Sequence, residues 1–142
     1  MSPTKNKEGQ GFSAEEKAAM RARAKELKAA AEGEEAIAAA LKKMAPADRA
    51  LGEQIHALVK KTAPDLTPKT WYGMPAYANK DGKVVCYFKD AGKFKARYSE
   101  LGFGEAANLD DGTMWPIVYA LTKLSKADEA RVVKLVKQAI SR

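Results

Sequence analysis

The sequence predicts an α+β fold, a small antiparallel β-sheet covered by helices, and three observations carry that prediction. Apolar residues recur at helical spacing through residues 13–62 and again after Ser125. Between those stretches the period falls to two, in runs rich in valine, tyrosine and phenylalanine that are bounded by glycine and aspartate. Helices, then strands joined by turns, then a helix is the segregated order of an α+β domain. With 142 residues, 46% of them hydrophobic, a single domain is the default.

Residues 1–11 hold Met1 as their only large apolar side chain and are expected to form a tail. Ser13 and Glu16 then make a Ser-x-x-Glu capping box, and Met20, Ala24, Leu27 and Ala31 follow as a narrow, alanine-rich stripe. Gly33 is expected to break this helix, leaving a second short one over 34–44 that groups Ile37, Leu41 and Met44 before Pro46. A third helix over 46–62 places Leu51, Ile55, Leu58, Val59 and Thr62 on one face. Asp81-Gly82 accepts the positive φ of a tight turn, so a hairpin joins Tyr77-Ala78-Asn79 to 84–88. The run VVCYF is apolar on both faces, which predicts a central strand with Cys86 in the core. Beyond Gly92 the alternation predicts a strand with Phe94, Ala96 and Tyr98 on one face and Lys93, Lys95 and Arg97 on the other. A loop rich in glycine and aspartate leads to Met114-Trp115-Pro116 and a last strand over 117–122. Ser125 and Asp128 cap a final helix that groups Val132, Leu135, Val136, Ala139 and Ile140.

Composition excludes several function classes. The longest apolar runs, such as residues 36–41, fall far short of the roughly 20 residues a membrane span needs, and the polar opening MSPTKNKEGQG lacks the pattern of an export signal. The single cysteine supplies neither a disulfide framework nor a thiolate cluster, which fits a reducing cytoplasm. His56, the one histidine, has no second histidine for a metal pair, and no Gly-x-Ser-x-Gly stretch presents a nucleophile; we expect it to be a helix-flank residue making one hydrogen bond. We read no catalytic set and no metal-ligand set, and an enzyme is the least supported class. The net charge of +7 favours anionic partners. It is two-sided: residues 69–97 hold seven lysines and arginines against two aspartates, and residues 99–129 hold six acids against two lysines.

Three stretches are candidate sites. Asp110-Asp111-Gly112 does not match a calcium loop, and turn or cap duty is its simplest reading. The row Lys93, Lys95, Arg97 stands at a spacing suited to phosphates, yet stacking aromatics belong beside such a row, and the alternation puts Phe94 and Tyr98 on the opposite face. The stretch TWYGMPAY, residues 70–77, combines Trp71, Tyr72, Met74 and Tyr77 with a glycine and a proline that shape the backbone. Packing as core explains much of it, while Met74 and Tyr77 lining a cleft with Trp115-Pro116 is the functional reading.

The segments TWYGMPAY, GKVVCYF, KFKARYSELGF and NLDDGTMWPIVYAL resemble the YdhG-like family of small bacterial domains. The resemblance covers residues 48–142 and implies a compact α+β domain over 46–142, with residues 1–45 as a tail and helical extension. One branch of that family is described as a frataxin-like iron chaperone, which calls for clustered exposed carboxylates; this chain is basic and its acids are spread. The resulting expectation is a non-enzymatic cytoplasmic binding domain. Trp71, Met74, Tyr77 and Trp115 would line its cleft, Lys95 or Arg97 would meet an anion, and Asp110 would orient the rim. The partner would be a small anionic ligand or a metal-bearing protein, with no resident cofactor, or iron held by carboxylates. The rival reading is sequence-independent nucleic-acid binding through the basic strand.

Overall fold

In a computed structural model, residues 11–141 of the chain are described. The first ten residues of the expected tail, and Arg142, lie outside them. Three helices and one five-stranded antiparallel sheet form the α+β architecture that the sequence predicts.

Helix α1 (Ala14–Lys42) begins at the Ser13–Glu16 capping box, with both reciprocal hydrogen bonds made. Gly33 does not break it. Glycine inside a helix costs about 1 kcal/mol against alanine, and the reason for it here lies in packing: a Cβ at this position would sit 1.8 Å from the Pro68 carbonyl oxygen. The expected pair of short helices is therefore one helix laid backbone-to-backbone on the first strand. Its C-terminal half buries Gly33, Ile37 and Leu41, whereas residues 14–29 are all exposed, Met20 and Leu27 included. Arg49 donates to the carbonyls of Leu41, Lys42 and Met44, so the free end of α1 is capped from the next helix. That helix, α2 (Pro46–Thr62), starts on a proline and buries Leu51, Gly52, Ile55 and Val59, the face its periodicity predicts.

The strands are β1 (Thr67–Trp71), β2 (Met74–Ala78), β3 (Val84–Lys89), β4 (Ser99–Phe103) and β5 (Val118–Leu121), paired in chain order with β3 central. Helix α3 (Lys126–Ala139) opens on the Ser125–Asp128 capping box and buries Val132, Val136 and Ala139. In the strand region two features depart from expectation. Residues 67–71 form β1, which their sequence, TPKTW, does not advertise because it lacks apolar alternation. Residues 93–98 are not a strand: Asp90 Oδ2 accepts the Lys93 N–H, Ala96 N–H reaches the Ala91 carbonyl, and Lys95 takes φ +52°. This is a single capped turn whose left-handed residue closes it. Three alternating pairs are too short a pattern to outweigh that local hydrogen bonding.

One apolar core lies between the three helices and one face of the sheet, joining Ile37, Ile55, Val59 and Val136 to Tyr77, Cys86, Phe88, Leu101 and Phe103. Cys86 is buried as expected, and burial pushes its thiol up to about 12. No helix among the described residues is long and apolar enough to cross a membrane.

Candidate functional site

Strand register sorts the sheet into two faces. Tyr77 pairs with Cys86, Cys86 with Phe103 and Phe88 with Leu101, all core residues. Trp71 pairs with Met74, Lys69 with Ala76, Ala76 with Tyr87, Tyr87 with Gly102 and Lys89 with Glu100. Alternation puts these on the opposite face, away from the helices.

The aromatic stretch 70–77 is itself a hairpin. β1 and β2 are joined by Tyr72-Gly73, with φ of +52° and +75°, the two-residue primed turn that matches strand twist. Asparagine is the usual first residue there, and a tyrosine held at positive φ is strained. The turn holds the Tyr72 side chain 78% exposed and edge-on to Trp71, ring centres 5.1 Å apart. Trp71 in turn lies 5.3 Å from the Tyr87 ring. Gly102 makes room for that ring, because a Cβ there would stand 2.1 Å from Tyr87 Cζ. Burial, and then the Glu100 charge, hold the Tyr87 phenol above its ordinary value, so it stays a neutral donor.

Lys69, Trp71, Lys83 and Tyr87 border a hollow of about 470 Å³ that Gly104, Glu105 and Ala106 also line. Trp115 and Asp110 border a second hollow of about 510 Å³ that also includes Gly104 and Glu105. The two tryptophans thus line different hollows, which share Gly104 and Glu105. Met74 and Tyr77 are enclosed, at 6% and 1% exposure. Asp110 is exposed beside the turn at Gly112, φ +69°. Lys95 and Arg97 sit in and after the capped turn, Arg97 over the Tyr98 ring at 5.0 Å.

Sequence reasoning did not find the network around His56. Its Nε2 faces Glu34 Oε1 at 2.8 Å and its Nδ1 faces the Tyr77 hydroxyl at 2.7 Å. A carboxylate only accepts, so Nε2 carries a proton and donates to Glu34; in the neutral ring Nδ1 accepts from the Tyr77 O–H. Lys60 reaches Glu34 Oε2 as an ion pair. Burial pushes the Glu34 carboxyl up, but its contacts with Lys60 and His56 outweigh that and hold it below the ordinary value. Burial, with Cys86 and Glu34 nearby, raises the Tyr77 phenol. Tyr77 offers no surface to a ligand; the network ties α1, α2 and β2 together. The signal available in sequence was only a histidine flanking an apolar face. A further cavity of about 740 Å³ is lined by residues of α1 together with Thr70, Gly73 and Asp90, and Asp90 Oδ1 is buried without a hydrogen-bond partner among the described residues.

Among the described residues, no three histidine, cysteine, aspartate or glutamate side chains come together as a metal site. Compared with family models, with curated proteins and with solved structures, the chain matches none.

Proposed function

We propose that this chain is a non-enzymatic, cytoplasmic, YdhG-like binding domain that holds a flat anionic ligand in the hollow bordered by Trp71 and Tyr87. The observation that carries this reading is the pair of rings on the helix-free face, 5.3 Å apart and beside Lys69 and Lys83, two cations with no ion pair among the described residues. An exposed ring face gains by stacking on another aromatic system, and an ammonium beside it gains by meeting an anion. The family affiliation rests on the Gly-Met-Pro and Leu-Asp-Asp-Gly-x-Met-Trp-Pro segments, and the cytoplasmic location on the single buried thiol.

The iron-handling branch of the resemblance fits less well. Glu105 and Asp110 share the Trp115 hollow, but the donor set there does not reach three. Anaerobic titration with ferrous iron is expected to show no saturable uptake. For the leading reading, Trp71 emission is the direct probe once Trp115 is replaced by phenylalanine. Adenosine monophosphate is expected to quench it saturably at millimolar concentrations or below, and inorganic phosphate to leave it unchanged. The reading fails if the nucleotide produces no saturable change.

A further inference from the structure

Resting on the Trp71 hollow as a ligand site, we propose that its ligand is a single-stranded nucleic acid and that the site continues from the hollow, past Tyr72, to Phe94. Contacts on the surface form an unbroken strip. Tyr87 meets Trp71 at 5.3 Å, Trp71 meets Tyr72 at 5.1 Å, and Lys93 Nζ donates to the Tyr72 carbonyl at 3.1 Å. The Lys93 ammonium also stands 5.4 Å from the centre of the Phe94 ring, and the Lys89 ammonium 4.9 Å from it. Phe94 is 40% exposed.

The strip therefore sets three neighbouring rings, Tyr87, Trp71 and Tyr72, beside a fourth, Phe94, that two cations flank, and rings with cations at hand are how a surface grips bases and phosphates together. The sequence argued against this because strand alternation separated Phe94 from the lysines. The capped turn at 90–96 removes that separation and places Phe94 between two of them. Lys69, Lys89 and Lys93 make no ion pair among the described residues, so their charge is free for phosphate. Glu100, opposite Lys89 in the ladder, and Glu105, in the wall of the hollow, bound the strip on the β4 side and steer a polyanion toward β1. A duplex hides its base faces in its own stack and could use only the cations. A single strand uses both, and the strip suits about four nucleotides.

The test is fluorescence anisotropy with labelled twelve-residue oligouridine, the matching oligothymidine and a duplex of equal length. Adenosine monophosphate quenching of Trp71 is measured in parallel. Either single strand is expected to bind at least tenfold tighter than the duplex, and the RNA and DNA arms report which sugar is preferred. Phe94→Ala is expected to weaken single-strand binding about tenfold and to leave nucleotide quenching unchanged. Circular dichroism confirms the fold, which an exposed phenylalanine does not support. If the duplex binds as tightly as the single strands, or Phe94→Ala changes nothing, the extended site is wrong while the hollow stands. Loss of nucleotide quenching in the Trp115→Phe protein itself overturns both.

Discussion

At the scale of single residues, steric room decides more than propensity. Gly33→Ala gains up to about 1 kcal/mol of helix propensity, but its Cβ would overlap the Pro68 carbonyl, and backbone cannot swing aside as a side chain can. The clash wins, and urea unfolding is expected to show a net loss of about 2 kcal/mol or more; a neutral result would mean α1 does not lie on β1. Gly102→Ala meets the far end of the Tyr87 ring instead, which can rotate away. Its stability cost should be smaller, with the weight falling on ligand affinity as Tyr87 leaves Trp71. The Glu34 network gives a pH dependence whose sign follows from the lowered carboxyl. Its stabilisation is complete above the ordinary 4.5 and is lost as pH falls through the lower folded value. Glu34→Gln should therefore be less stable than the parent at neutral pH and converge with it in acid. The gap should be at most about 1 kcal/mol, because the side chain is 36% exposed and solvent screens the pair.

At the scale of elements, the Tyr72-Gly73 turn sets stability against binding. Tyr72→Asn puts the preferred residue at a positive φ and should stabilise the hairpin by about 0.5–1 kcal/mol. It should also weaken oligouridine binding several-fold by removing one ring from the strip. Thermal unfolding and anisotropy on the same sample check both signs. This turn also shows where sequence stops being informative. Capping boxes, the face of α2, the Asp81-Gly82 hairpin and the central β3 are local patterns, and they were legible because local chemistry suffices to specify them. β1 was not, since Thr67, Pro68 and Lys69 carry no alternation and the strand exists through its ladder to β2 and its contact with Gly33. Trp71 was a candidate from the sequence alone. Tyr87 and Lys89 were not, because their place beside Trp71 and Phe94 depends on register across three strands and on a turn mistaken for a strand. Met74 and Tyr77 share the stretch with Trp71, yet both are enclosed. The exposed part of α1 adds a further expectation. Residues 14–29 are all exposed, so a chain beginning near residue 30 should keep the parental melting temperature within a few degrees.

At the scale of the whole molecule, the net charge of +7 is a poor guide unless its placement is known. Any basic protein attracts a polyanion at low salt, and that attraction alone would pass a simple binding assay. The strip makes a narrower demand. Lys69, Lys89 and Lys93 stand beside its rings, and each phosphate contact on a single strand contributes about −0.7 to the slope of log K against log salt. Three contacts give a slope near −2. The triple substitution of these lysines by glutamine should bring the slope close to zero while leaving residual, salt-insensitive affinity from stacking on Trp71, Tyr72 and Phe94. A steeper slope that survives the triple substitution would place the contacts elsewhere, on cations such as those along the exposed half of α1. In that case the rings beside Lys89 and Lys93 would have no share in holding nucleic acid.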